Sequence, residues 1–182
     1  MKLRLIQTSS NAIGSVYIFH DFLSNLEYLE KVKKLVIKEI NKEPLEKLAN
    51  VKATTTDYKK LLQVKELRNF FIKILETLSN VYTLRTTAPQ DVMEFSMYDA
   101  WGMRHKKGDF TLEHIHAPCA WSGAFYCEVP DETHMYFPDF LESYKLEKNM
   151  LILFPGITKH SVSEHTSEKE RISMAFNISW KR

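Results

Sequence analysis

Residues 108–130 read GDFTLEHIHAPCAWSGAFYCEVP. Within this stretch Phe110 to His116 and Trp121 to Val129 carry the signature of strands, and Ala117-Pro118 between them marks a turn. On a strand, residues i and i+2 point to the same face. The imidazoles of His114 and His116 therefore converge, while Ile115 packs into the opposite side. Such a pair either shares one metal ion or lines a polar pocket. A third imidazole from a distant strand would complete one triangular face of an octahedron. Three positions would stay open for a bidentate co-substrate and dioxygen, which a closed structural site would not offer.

Downstream of this stretch the same strand character recurs in Met150 to Phe154, Lys159 to His165 and Arg171 to Trp180. Upstream it covers Val92 to Met103, and Ser15 to Phe19 adds one more candidate strand. The first half of the chain reads differently. From Ser24 to Asn41, Leu26, Leu29, Val32, Leu35, Val36 and Ile40 recur at helical spacing, with Ser24 and Glu27 as a capping box. A second helical pattern starts at Asp57, a candidate N-cap, and runs through Tyr58, Leu61, Leu62, Leu67, Phe70, Phe71, Ile74, Leu75 and Leu78. The polar segment between them, with Pro44 and Thr54-Thr55-Thr56, reads as a connection. The lysines and glutamates interleaved on both helices read as a solvated face. The expectation is one α+β domain over 1–182, with a helical support over about 1–90. A multi-stranded sandwich or jelly-roll core with the metal site follows over about 91–182.

Composition narrows the function. The 182 residues carry 25 basic and 23 acidic side chains, a formal net charge of +2, which gives no reason to expect a nucleic-acid partner. Cys119 and Cys127 are the only cysteines. Two cysteines make no disulfide framework, so a reducing, cytoplasmic setting is expected. No stretch approaches the roughly 20 apolar residues of a membrane span. Cys119 follows His116 by three residues, but no second cysteine completes a common structural zinc set. His20, His105, His134 and His165 stand alone at turns or strand ends and read as exposed or satisfied side chains.

Beyond the quoted stretch come Leu151-Ile-Leu-Phe-Pro155, His160-Ser-Val162 and Glu170-Arg-Ile-Ser-Met-Ala-Phe-Asn177. In this order the motifs resemble the 2-oxoglutarate/Fe(II) oxygenase family found in marine bacteria and phages, prolyl-hydroxylase-like members of the double-stranded β-helix superfamily. The resemblance covers about Trp101 to Asn177. Two positions depart from the family pattern: Ala117 intervenes before the proline, and Phe125-Tyr126 replaces Tyr-Tyr. The segment from Asp131 to Glu147 matches none of the family's motifs.

The resemblance implies Fe(II) held by His114, His116 and His160, with histidine in place of the usual carboxylate at the second position. It implies 2-oxoglutarate as co-substrate, its distal carboxylate paired with Arg171 and assisted by Ser173 and Tyr126. A guanidinium matches a carboxylate bidentately, which agrees with that role. Glu113 faces away from His114 on a regular strand, and the filled ligand position favours hydroxylation over halogenation. The implied substrate is an amino acid, peptide or small molecule. Two other readings fit parts of the pattern: a three-histidine cupin-type dioxygenase acting without 2-oxoglutarate, and a non-catalytic metal-binding module. The exposed helices could support a homodimer.

Overall fold

The structure is a computed structural model that describes residues 2–5, 15–48, 50–83 and 94–181. Val92 and Met93, at the start of one expected strand, lie outside the described residues. Twelve strands and two α-helices are described. The strands are β1 Lys2–Leu5, β2 Tyr17–His20, β3 Leu45–Leu48, β4 Lys52–Thr55, β5 Phe95–His105 and β6 Thr111–His114. They continue with β7 Trp121–Glu128, β8 His134–Phe137, β9 Glu142–Lys145, β10 Met150–Pro155, β11 His160–Val162 and β12 Arg171–Trp180. Helix α1 spans Leu26–Lys42 and α2 spans Arg68–Thr83.

The strands form an eight-stranded sheet in the order β1-β2-β10-β7-β12-β5-β4-β3 and a four-stranded sheet in the order β6-β11-β8-β9. All pairings between these strands are antiparallel. This is the jelly-roll, double-stranded β-helix architecture that the sequence implied, with the helices on the outer face of the larger sheet.

Alternation along β12 shows how one strand serves two purposes. Ile172, Met174, Phe176 and Ile178 enter the core beneath the helices. There they meet Val32, Val36 and Ile40 of α1 and Phe70, Ile74 and Leu78 of α2, together with Phe125, whose ring lies 4.9 Å from that of Phe70. Each fully buried side chain of this size contributes about 1.5–3 kcal/mol. Arg171, Ser173, Ala175 and Asn177 alternate with these residues and face the other way, toward the smaller sheet. Ala124, Tyr126, Ile152 and Phe154 of the large sheet pack there against Met135, Phe137 and Val162 of the small one.

Several elements differ from the sequence reading. The N-cap of α1 is Asn25, whose side chain accepts from the Tyr28 amide at 2.9 Å, and Leu26, the first helical residue, is exposed. Asp57 caps a turn by accepting from the Lys59 amide, and two 3₁₀ turns, 60–63 and 65–67, precede α2. Leu61, Val64 and Leu67 are spaced by three, the period of a 3₁₀ helix, which brings Leu61 and Leu67 to full burial. The supposed connection between the helices contains the hairpin β3–β4, which extends the large sheet at β5. Thr54, Thr55 and Thr56 are buried in it, and the Thr56 hydroxyl accepts from the Gly102 amide. The segment from Asp131 to Glu147 supplies β8 and β9. Among the described residues no helix is long and apolar enough to cross a membrane.

Backbone crossing at Gly156 fixes the loop that follows β6. The Gly156 amide donates to the Ala120 carbonyl at 3.1 Å, and the His116 amide donates to the Gly156 carbonyl at 2.7 Å. A β-carbon at Gly156 would lie 2.1 Å from the Cys119 carbonyl oxygen, so only glycine permits the approach. Gly156→Ala is expected to lower unfolding free energy by about 1–3 kcal/mol, in the range of overpacking. Urea unfolding of both proteins measures this, and an unchanged midpoint would contradict the crossing.

Candidate metal centre

His114 ends β6, His160 begins β11, and the two are register partners. His116 lies just beyond β6, held in extended pairing by its hydrogen bond to Gly156. The three rings form one cluster. Their centroids are 4.9 Å apart for His114 and His116, 4.4 Å for His114 and His160, and 5.1 Å for His116 and His160. One nitrogen from each ring lies within 4.8 Å of the others, close enough to share an ion. The pairing shifts between His160 and Val162, so two residues of β6, Leu112 and Glu113, oppose the single Ser161. This bulge sets the aim of His114. Ile115, expected to pack on the side opposite the histidines, is instead exposed at the cavity wall, because β6 ends at His114.

Hydrogen bonds orient two of the rings. His114 Nδ1 is 2.8 Å from the Leu112 carbonyl and His160 Nδ1 is 3.1 Å from the Thr158 carbonyl. A carbonyl only accepts, so each Nδ1 donates and Nε2 keeps its lone pair, as metal-bound histidines require. Burial, aided by the neighbouring His114, pulls His116 down to about 4. Burial and the two neighbouring imidazoles pull His160 down to about 3, against the opposing hydrogen bond to Thr158. At neutral pH these two rings are uncharged and need release no proton to bind a cation. Glu113 points outward, 3.7 Å from Lys159, and Asp109 accepts from the Lys106 amide; neither joins the cluster.

The other three predicted site residues share one region. Arg171 opens β12 and is 1% exposed; Ser173 stands two residues on, also 1% exposed, in register with Tyr126 of β7. The neighbouring carboxylates pair with other residues, Glu170 with Arg104 and Glu168 with Lys107. Arg171 Nη1 donates to Thr133 Oγ1 at 2.8 Å, while Arg171 Nε and Ser173 Oγ are buried without a partner. Burial pushes the guanidinium pKa down, opposed by Tyr126, Asp131 and Asp109. Burial likewise raises the Tyr126 phenol, so it stays protonated and can donate.

Thr133 and Asp131 escaped the sequence reading, and His105 and His165 had read as exposed or satisfied. Thr133 donates to Asp131 at 2.5 Å, Asp131 also accepts from the Thr166 amide, and His165 Nδ1 lies 2.8 Å from Asp131. His165 is fully buried and His105, the register partner of Arg171, is 2% exposed with neither ring nitrogen partnered. His165 Nε2 lies 2.7 Å from the Lys169 carbonyl, so His165 is partnered through one nitrogen, whereas His105 is buried with neither nitrogen partnered. The signal for His105 was its alternation with Met103 and Trp101 on one strand face.

A cavity of about 580 Å³ opens between the sheets, lined by the three histidines, Tyr126, Trp101, Asp99, Ala175 and Asn177 among others. Its neighbours among solved structures share this arrangement of strands. The viral collagen prolyl hydroxylase of Paramecium bursaria Chlorella virus-1, in complex with 2-oxoglutarate, superposes with a TM-score of 0.60 at 16% identity. The match covers 90% of this chain and 94% of that one. A Pseudomonas putida prolyl-4-hydroxylase gives 0.65 at 12% identity over 93% and 94% of the two chains. The non-haem α-ketoglutarate-dependent epimerase SnoN of nogalamycin biosynthesis gives 0.71 at 10% identity over 90% and 76%. The fold is that of the 2-oxoglutarate/Fe(II) oxygenases. No protein-family model matches the chain, and no curated protein matches it in sequence. On this fold the histidine cluster lies between the sheets, and Arg171 is buried at the start of β12.

The depressed imidazoles have a consequence for the metal-free protein. Unfolded histidine titrates near 6.5. Between about pH 6.5 and the folded values of about 4 and 3, the unfolded chain therefore binds protons that folded His116 and His160 refuse. Stability from these groups is present above pH 6.5 and is lost as the pH falls through that window. Urea midpoints measured from pH 7 to pH 4 should fall, and His160→Asn should flatten the slope; an identical slope in the variant would refute the burial argument.

Proposed function

We propose that this protein is an Fe(II)- and 2-oxoglutarate-dependent dioxygenase that hydroxylates an amino-acid, peptide or small-molecule substrate. The observation that carries this reading is the pairing of two sites within one fold. Three convergent imidazoles form the first, and a buried guanidinium with unpartnered donors forms the second. The residues present fit both groups. His114, His116 and His160 would hold the ion through neutral nitrogens, leaving open positions beside it. Arg171 Nε and Ser173 Oγ lack acceptors in the folded chain, and a carboxylate supplies them.

When bound, Fe(II) supplies oxygen activation coupled to conversion of 2-oxoglutarate to succinate and carbon dioxide, one oxygen atom passing to the substrate. The chain's own residues do the rest. Arg171, Ser173 and the Tyr126 phenol grip the distal carboxylate and so set the orientation of the keto acid. Thr133 and Asp131 brace the guanidinium from behind. Phe154 and Phe137 pack against His160, with Phe154 at 4.5 Å between ring centroids, and keep water from that side of the centre. Substituting histidine for the usual carboxylate ligand leaves the bound site one unit more positive, which favours a dianionic co-substrate.

Anaerobic titration with Fe(II) and then 2-oxoglutarate should produce a visible charge-transfer band that decays in air with release of succinate. Iron binding without such a band would favour a three-histidine dioxygenase that dispenses with 2-oxoglutarate, or a binding module. Arg171→Gln should keep iron binding but weaken 2-oxoglutarate by about 2–5 kcal/mol, roughly 30-fold or more, as for truncation of a buried charge pair. Wild-type affinity in that variant would remove Arg171 from the site.

A further inference from the structure

The inward face of β12 has opposite polarity at its two ends. Arg171 stands at one end and Asn177 at the other, about 20 Å apart at strand spacing, with the small side chain of Ala175 between. Asn177 is the register partner of Asp99 on β5. Both are more than nine-tenths buried, and both line the cavity that contains the histidine cluster. Burial raises the Asp99 pKa, and the Asn177 side chain and backbone facing it act in the opposite direction, toward the charged carboxylate. An ionised carboxylate only accepts, so the Asn177 amide nitrogen is the donor and its oxygen is left over. Asn177 Oδ1 and Asp99 Oδ1 are both buried without a hydrogen-bond partner.

Sheet irregularity builds this corner. The β12–β5 register passes from Asn177↔Asp99 to Ile178↔Met97, so Tyr98 is an extra, bulged residue. A bulge re-aims the side chains beside it, and Tyr98, like Asp99, lines the cavity. Two residues further along β5, Trp101 forms the wall between this corner and the metal cluster. Its ring centroid lies 6.3 Å from that of His116 and 4.9 Å from that of Tyr58. At the rim, Lys47 Nζ sits 5.1 Å from the Tyr58 ring and Lys59 Nζ sits 5.3 Å from the Tyr98 ring. Lys59 attracts Asp99 only at long range.

Two buried acceptors, one charged, call for N–H donors. A hydroxyl would leave the Asp99 charge uncompensated, and a carboxylate or phosphate would be repelled. A cation satisfies both acceptors and also gains from the adjoining aromatic faces. We propose that this end of the cavity binds an alkylammonium or guanidinium group of the substrate, with Asp99 and Asn177 accepting its N–H bonds and Trp101 flanking it. The rim lysines disfavour a cation at the mouth, so the cationic nitrogen enters first and the neighbouring carbons lie beside Trp101, next to His116. This assignment of substrate class rests on the oxygenase reading of the same cavity.

Calorimetric titration of the Fe(II)- and 2-oxoglutarate-loaded protein under nitrogen tests it, with n-butylammonium and n-butylguanidinium as probes and 1-butanol and butyrate as controls. The cations should bind at least about tenfold more tightly than either control, and Asp99→Asn should remove most of that advantage while leaving the charge-transfer band unchanged. Asn177→Ala, which removes one of the two acceptors, should weaken cation binding, and it keeps the test decisive if Asp99→Asn does not fold. Equal affinity for butanol and butylammonium, or cation binding indifferent to both variants, would overturn the proposal with the band intact. Selective cation binding in a protein that forms no band would instead uphold the cation site and sink the oxygenase reading.

Discussion

Burying Arg171 is the constraint around which the inter-sheet space is organised. A guanidinium at 1% exposure has lost nearly all its water, and such a charge costs several kcal/mol unless acceptors replace the solvent. Thr133 meets one nitrogen, Asp131 supplies negative charge behind Thr133, and Asp109 adds attraction at longer range. The charge remains only partly compensated, because Nε faces no acceptor. The folded chain thus keeps an unpartnered guanidinium nitrogen between its sheets. Strand β8 and the turn before it are needed because they deliver Asp131 and Thr133 to that spot.

Stability and chemistry are divided between the two faces of the large sheet. The helix-side face is wholly apolar along β12 and β10, and Phe70, Phe125 and Phe22 interlock there edge to face. The Tyr28 hydroxyl is the one buried, unpartnered side-chain polar atom found against this core among the described residues. The opposite face carries every unpartnered polar atom that bears on the site, including those of Ser173, Asp99 and Asn177. That separation lets the cavity hold unsatisfied groups without weakening the packing that fixes their positions.

Charge also explains how the metal cluster fits this arrangement. Imidazole ligands bring no negative charge, so retention of a cation would depend on geometry, and geometry comes from fixed backbone. His114 and His160 are oriented by the carbonyls of Leu112 and Thr158, and His116 by the crossing at Gly156. The rings share their cavity with Asp99 of β5, while Arg171 is buried at the start of β12.

By itself the sequence determined the strand character of the second half, the inward convergence of His114 and His116, the face shared by Arg171 and Ser173, and the apolar stripe of α1. All of these follow from local periodicity, which the backbone enforces wherever a side chain lies. Tertiary structure alone decided the hairpin β3–β4, because its outer strand is mostly exposed and its charged residues leave no apolar alternation to read. It also decided that Asp131 and Thr133 lie behind Arg171 and that Asp99 meets Asn177. These partners are 38 or more residues apart in sequence, 38 for Thr133 and Arg171. A sequence shows which residues can face the same way; only the closed sandwich brings two such faces within hydrogen-bonding distance.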